Sequence, residues 1–217
     1  MALDIATGAG HTALALAPHV AKVVAYDLTQ EMLLETKRNA IARGLTNLVT
    51  REGIAEDLPF PDSTFDIVTV RHAPHHFADV NAAIREMARV AKIGARLVIV
   101  DSTSPEDASL DRQWNRFEKL RDPSHVRNYR PSEWRAIVAR AGLRILFEEI
   151  DFCTENGGPM NFVSWTQRMN TEPEAVEKLS QLFRNATPAM TQALRIQIID
   201  DAVLFCVPQI LIGAVKQ

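Results

Sequence analysis

Between residues 2 and 101, short apolar runs alternate with helical patterns, and that alternation does most to restrict the fold. The runs are "ALDIA" (2–6), "KVVAYD" (22–27), "NLVTRE" (47–52), "FDIVTV" (65–70) and "RLVIVD" (96–101). They are rich in Val and Ile and mostly apolar on both faces, as buried parallel strands must be. Between them, "TQEMLLETKRNAIARG" starts at a Thr29 cap and stops at Gly44. In "DVNAAIREMARVA", Val80, Ala83, Ile84, Met87 and Val90 share one helical face, and Asp79 is a fair N-cap. Repeated β-α-β units with short loops predict an α/β fold with helices on both faces of a doubly wound, mostly parallel sheet.

The pattern changes after Asp101. Residues 105–128 read as helix and then irregular chain. "PSEWRAIVARAG" is a helix with Trp134, Ile137, Val138 and Ala141 facing inward, and "LRILFEEID" (143–151) is a sixth strand. "ENGGP" (155–159) is a loop, and residues 160–200 are mainly helical. Residues 202–216 return as a seventh strand, with Pro208 marking an edge or a bulge. A helical insertion at 152–201 thus precedes the last strand and separates two strands that can pair as neighbours. The chain reads as one domain over 1–217, with a core at 2–104 and insertions at 105–130 and 152–201 on the substrate side. Phe162, Trp165 and Met169 share a helical face, which suits core packing or an apolar lid.

With 217 residues and 47% hydrophobic content, the chain can bury a sizeable core. No apolar run approaches the ~18 residues of a membrane helix. The start, Met1-Ala2-Leu3-Asp4, lacks the basic region of a signal peptide, so a cytoplasmic protein is expected. Cys153 and Cys206 lack metal-ligand spacing and are expected as reduced thiols. A net charge of −3 argues against non-specific nucleic-acid binding. The basic run at 111–144 reads as a solvated helical face, or less readily as a pocket for an anion. Nothing in the sequence reports oligomeric state.

The first strand runs into "LDIATGAGHT" (3–12). Gly8-Ala9-Gly10-His11-Thr12-Ala13 fits G-x-G-x-x-G/A, and Asp27 ends the second strand where an acid can grip a ribose diol. That pattern fits nicotinamide dinucleotides, flavins and S-adenosylmethionine (SAM) alike. Three features separate them. Asp4 stands four residues before Gly8, where an anion repels a pyrophosphate and suits an ammonium group. No basic residue accompanies the loop. "GIAEDLPFPDSTFDIV" (53–68) can form an adenine slot after the third strand.

Together, "LDIATGAG", Asp27, "AEDLPFPDSTFD" and "HHFADVNAAIREMARVAKIGARLVIVD" resemble the class I SAM-dependent methyltransferases. The similarity is to the group related to ubiquinone and menaquinone biosynthesis, and to small uncharacterised bacterial members of it. It is specific over residues 2–104; "DPSHVR" (122–127) and "PQILIGAVK" extend it toward the C-terminus. The resemblance implies a Rossmann-like, seven-stranded fold, use of SAM with S-adenosylhomocysteine as product, and a small-molecule acceptor. It implies that Gly8 and Gly10, with Ala6 and Thr7, shape the turn under the methionine and ribose. Asp4 would bind the amino-acid end, with His11 near its carboxylate. Asp27 would take the ribose diol, Leu28 and Met32 would pack beside the adenine, and Ile54, Ala55 and Glu56 would form the adenine edge. Arg71 and His72 would face the transferable methyl. The chain departs from the family at Ile54, where an acid usually accepts from the adenine amino group; the loss costs ~1 kcal/mol. Ala6-Thr7 and Ile93-Gly94-Ala95 are departures without chemical consequence.

Methyl transfer from a sulfonium needs alignment and desolvation, and a base only if the nucleophile still carries its proton. Candidates lie in "RHAPHHF" (71–77), past the fourth strand. His72 or His76 would line the acceptor pocket, and His125 with Tyr129 would approach from the lid. His75 and His76 can equally cap the next helix or bond backbone. His72, His75, His76 and Asp79 lack a clear fourth partner for a metal, so no metal site is expected. The reading is a SAM-dependent methyltransferase; the alternative is a degenerate SAM-fold binding or regulatory protein. An NAD-dependent oxidoreductase is disfavoured by Asp4 and the 53–68 segment. Relatives of this fold carry helices before the first strand, whereas Met1 and Ala2 alone precede it here. The expectation is an N-terminally shortened chain with an exposed cofactor groove.

Overall fold

The expected crossovers are present in the computed structural model, which describes residues 1–151 and 158–217. In chain order the first elements are β1 (Ala2–Ile5), α1 (His11–Leu16), β2 (Val23–Asp27), α2 (Gln30–Ala42) and β3 (Leu48–Glu52). β4 (Phe65–Arg71), α3 (Val80–Val90) and β5 (Ala91–Ser102) follow. Next come α4 (Ala108–Arg121), α5 (Pro131–Arg140) and β6 (Leu143–Asp151). The last are β7 (Met160–Asn161), α6 (Phe162–Arg168), α7 (Pro173–Arg184), α8 (Pro188–Ala193), β8 (Gln197–Ile199), β9 (Ala202–Phe205) and β10 (Gln209–Lys216).

Seven strands form one mostly parallel sheet in the order β3-β2-β1-β4-β5-β10-β6. β1 pairs in parallel with β2 on one side and β4 on the other. Every residue of β1 and β2 is buried, as two-sided coverage by helices requires. On α3, Ile84 and Met87 bury completely, each contributing ~1.5–3 kcal/mol. Asp79 starts that helix by accepting the Ala82 N–H at 3.0 Å. Strand order reverses between β1 and β4, so the loops leaving their carboxyl ends part and open a crevice.

The chain divides into two compact units. The first comprises Met1–Asp101, Arg135–Glu148 and Leu211–Gln217 and carries most of the large sheet. β10 neighbours β6 in it, as the sequence suggested. The second comprises Ser102–Trp134 and Glu149–Ile210. Its core is aromatic: Trp114 stacks on Trp165 at 6.0 Å, and Phe183 meets Phe205 at 4.6 Å. A small antiparallel sheet, β7-β9-β8, belongs to it.

Several expectations need correction. Residues 202–216 are two strands rather than one: β9 joins the small sheet, β10 the large one, and Pro208 lies in the break. The segment 160–200 holds β7 and β8 besides its helices; at two and three residues they are too short for a periodic signal. β5 begins at Ala91, which pairs with Phe65; the residues around Gly94, left-handed at φ 78, bulge out before Arg96 pairs with Ile67. Phe162 and Trp165 bury in the second core, while Met169 is exposed. Cys206 is buried and disulfide-bonded, not a free thiol. Cys153 and most of the 155–159 loop lie outside the described residues.

Candidate cofactor and acceptor site

The loop after β1 is left-handed at Ala6 (φ 50), Gly8 (φ 55) and Gly10 (φ 87). Gly10 is required twice over, because a Cβ there would also stand 2.8 Å from the Thr36 side chain on α2. A Cβ on Gly8 would meet nothing within 4 Å, so that side of the loop is open. α2 holds the loop in place. Thr36 Oγ1 donates to the Gly8 carbonyl at 2.7 Å, and Asn39 Nδ2 donates to the Ala9 carbonyl at 3.1 Å.

Two carboxylates flank this loop. Asp27 accepts the Gly8 N–H at 2.8 Å through one oxygen and the Thr29 N–H at 2.9 Å through the other. Each oxygen keeps lone pairs for a further donor. Asp4 is 1% exposed. It accepts from Thr7 Oγ1 and Thr69 Oγ1, both at 2.6 Å, and from the Ala13 N–H at 3.1 Å. Burial raises its carboxyl above the usual range; the Thr69, Thr7 and Ala13 donors and the Arg71 charge pull the other way.

Two clefts lie along the loop and share Ala6 in their walls. The larger, about 550 Å³, is walled by Tyr26, Asp27, Leu28, Gly53, Ile54, Ala55 and Glu56, with Ala73, His76, Phe77 and Asp79 opposite. Its floor is fixed by Tyr26, whose hydroxyl donates to the Ile54 carbonyl at 3.1 Å. Burial pushes that phenol up, so it remains a donor. Gly53 is needed here, since a Cβ would lie 2.0 Å from the Tyr26 oxygen. The smaller cleft, about 170 Å³, is walled by Asp4, Thr7, Gly8, His11, Arg71 and His72. Met32 is exposed on α2 and lines neither.

The histidines separate. His72, at φ 51, donates its N–H to the Val100 carbonyl and faces the smaller cleft; His76 faces the larger. His125 belongs to the second unit, where it is buried with Nε2 3.1 Å from Asn115 Oδ1. Tyr129, in the same unit, packs edge-on against Trp134. His75 has a partner that sequence reasoning missed: its Nδ1 lies 2.6 Å from Asp101 Oδ1. The two are 26 positions apart and meet because β4 and β5 are neighbours. An acid ending the fifth strand was the available signal. Among the described residues, no group of three or more His, Cys, Asp and Glu side chains could hold a metal ion. No described helix is long and apolar enough to cross a membrane.

A crevice at the switch point of a parallel sheet, beside a glycine loop and an acid ending β2, is the architecture of a Rossmann-like α/β protein. Residues 3–99 match the family model of a methyltransferase domain. The chain is 37% identical over 217 residues to the uncharacterised methyltransferase YcgJ of Bacillus subtilis, covering 99% of this chain and 84% of that one. The crystal structure of YcgJ superposes with a TM-score of 0.91 at 36% identity, covering 100% of this chain and 91% of the other. A candidate methyltransferase from Bacillus halodurans superposes with a TM-score of 0.93 at 35% identity, covering 99% and 91%. A demethylmenaquinone methyltransferase of Thermus thermophilus is 42% identical over 105 residues, 48% of this chain and 47% of that one. This chain belongs to the SAM-dependent methyltransferases.

Proposed function

We propose that the protein transfers the methyl group of SAM to a small-molecule acceptor, with adenosine in the larger cleft and the methionine end in the smaller. The observation that carries this reading is the pair of clefts meeting at Ala6, with Asp27 on the wall of the larger. When bound, SAM supplies a methyl on a positively charged sulfur. The residues present fit it. Asp27 has acceptor capacity for a ribose diol, and Leu28 offers an apolar face to the adenine. Ile54 cannot accept from the adenine amino group, but Glu56 and Asp79 put carboxylates on the same cleft, and Ala55 adds backbone there. In the smaller cleft Gly8 keeps the backbone low, Ala6 and Thr7 shape its rim, and Asp4 is an anion for the ammonium. Arg71 and His11 are the cations or donors for the carboxylate. His72 and His76, one on each cleft, flank the place of the reacting methyl.

Isothermal calorimetry tests this reading. SAM and S-adenosylhomocysteine are expected to bind and NADH not to; absence of binding by both adenosyl compounds overturns it.

A further inference from the structure

In the larger cleft, residue 54 has nothing to offer an amino group. Its side chain is aliphatic, and its carbonyl is already engaged twice, by the Tyr26 hydroxyl at 3.1 Å and the Asp57 N–H at 3.4 Å. The next two residues differ. Ala55 is buried, and its N–H makes no hydrogen bond among the described residues. Glu56 accepts the Asp79 N–H through Oε1 at 3.3 Å, which ties the wall after β3 to the wall before α3. Its Oε2 has no hydrogen-bond partner, and the side chain no ion pair, among the described residues. Asp79, the acid opposite, is occupied as a helix cap, since its Oδ1 accepts the Ala82 N–H at 3.0 Å.

The wall after β3 therefore presents an open donor, the Ala55 N–H, followed by an open acceptor, Glu56 Oε2. An ionised carboxylate accepts and cannot donate, so the order of the two is fixed. Adenine offers the matching edge: N1 accepts, and the 6-amino group beside it donates. Hypoxanthine offers the reverse, a ring N–H beside a carbonyl. The pair on the wall complements the first base at both points and opposes the second at both.

We propose that Glu56 selects adenine in this cleft, with Oε2 accepting from the 6-amino group and the Ala55 N–H donating to N1. The proposal rests on the methyl-transfer reading above, which puts adenosine here. The acceptor absent at Ile54 is thus supplied two positions later. The bond from Asp79 to Oε1 steadies the carboxylate and leaves Oε2 to the base. A carbonyl brought against that carboxylate leaves both groups unpaired, so the wrong base is rejected and not merely held less well. Glu56 decides which nucleoside enters; it takes no part in moving the methyl group.

Calorimetry of the full chain with S-adenosylhomocysteine and its deaminated analogue, S-inosylhomocysteine, tests this. The wild type should bind the adenosyl compound tighter by about tenfold or more. In Glu56→Gln the amide can turn to accept from an amino group or to donate to a carbonyl, so the gap should close to within about threefold. Most of the change should be a gain in affinity for the inosyl compound, which damage to the cleft cannot produce. Glu56→Ala should close the gap from the other side, by losing affinity for the adenosyl compound. Equal wild-type affinity for the two compounds, or a gap that both variants leave unchanged, overturns the proposal alone. Failure of the wild type to bind S-adenosylhomocysteine overturns the methyl-transfer reading and the base selection with it.

Discussion

Asp4 meets three donors within the protein and also borders the smaller cleft. Removing its charge separates the two roles. Asp4→Asn keeps the shape, and the threonine hydroxyls can turn to suit the amide, so the fold survives. The ammonium of a bound amino-acid end loses its counter-charge, worth ~1.5–3 kcal/mol, so S-adenosylhomocysteine binding should weaken about tenfold or more. The sign of the pH effect is fixed. Burial raises the folded carboxyl above its ordinary 3.8, so its contribution to stability is present below that value and lost as pH rises through the folded pKa. An ammonium ligand favours the charged form, so binding releases a proton and tightens as pH rises over that range. Calorimetry across acidic pH should show this in the wild type and a flat response in Asp4→Asn. Unchanged affinity in the variant would leave Asp4 with the loop alone. The glycines and Asp27 were legible in the sequence because their requirements are local: a left-handed turn, a close helix, an acid at a strand's end. The His75–Asp101 pair was not, because only the registration of β4 against β5 brings the two residues together.

In the second unit, an ion-pair network ties the irregular chain before α5 to the helices around it. Arg127 Nη2 donates to Asp111 on α4 at 2.9 Å and to Glu133 on α5 at 3.0 Å. Arg130 adds its Nε and its backbone N–H to the same Glu133 oxygen, each at 3.0 Å. Burial opposes ionisation of Glu133, but the Arg130 and Arg127 donors prevail and hold it at about 2, against an ordinary 4.5. Its contribution is therefore present above about 4.5 and lost as pH falls toward about 2. Glu133 is 29% exposed, so solvent screening cuts the yield of the shift. Glu133→Gln should cost ~1–2 kcal/mol at pH 7 and much less near pH 3. Urea midpoints of both proteins at the two pH values check this, and an equal gap at both would refute it. Ion pairs account for part of the basic run at 111–144: Arg127 and Arg130 belong to this network, while Arg121 pairs with Glu118 and Arg135 with Glu148. Elements with a full apolar face, such as α3, were readable from the sequence. β7, β8 and the break at Pro208 were not, since short pairings with distant partners leave no period.

On the scale of the whole molecule, the division into two units escaped the sequence because the chain passes between them repeatedly. Residues 1–101, 135–148 and 211–217 build one unit, so no linker of distinct composition marks a boundary. Both clefts nevertheless lie entirely in the first unit. A ligand that binds only the folded state stabilises what it binds, by ~2.7 kcal/mol at a hundred times its Kd. For a chain of this length that raises Tm by ~5–10 °C. Hydrogen exchange locates the effect more sharply than the melting curve. Ala13 donates its N–H to Asp4, and Leu14 donates its own to the Gly10 carbonyl. These amides open only when the glycine loop does, so S-adenosylhomocysteine should slow their exchange by the factor its binding predicts. The amides of α7, which packs Leu179 and Phe183 into the second core, have no part in the loop and should exchange as before. Protection confined to α7, or absent from the loop at saturating ligand, would move the cofactor out of the clefts flanking Gly8.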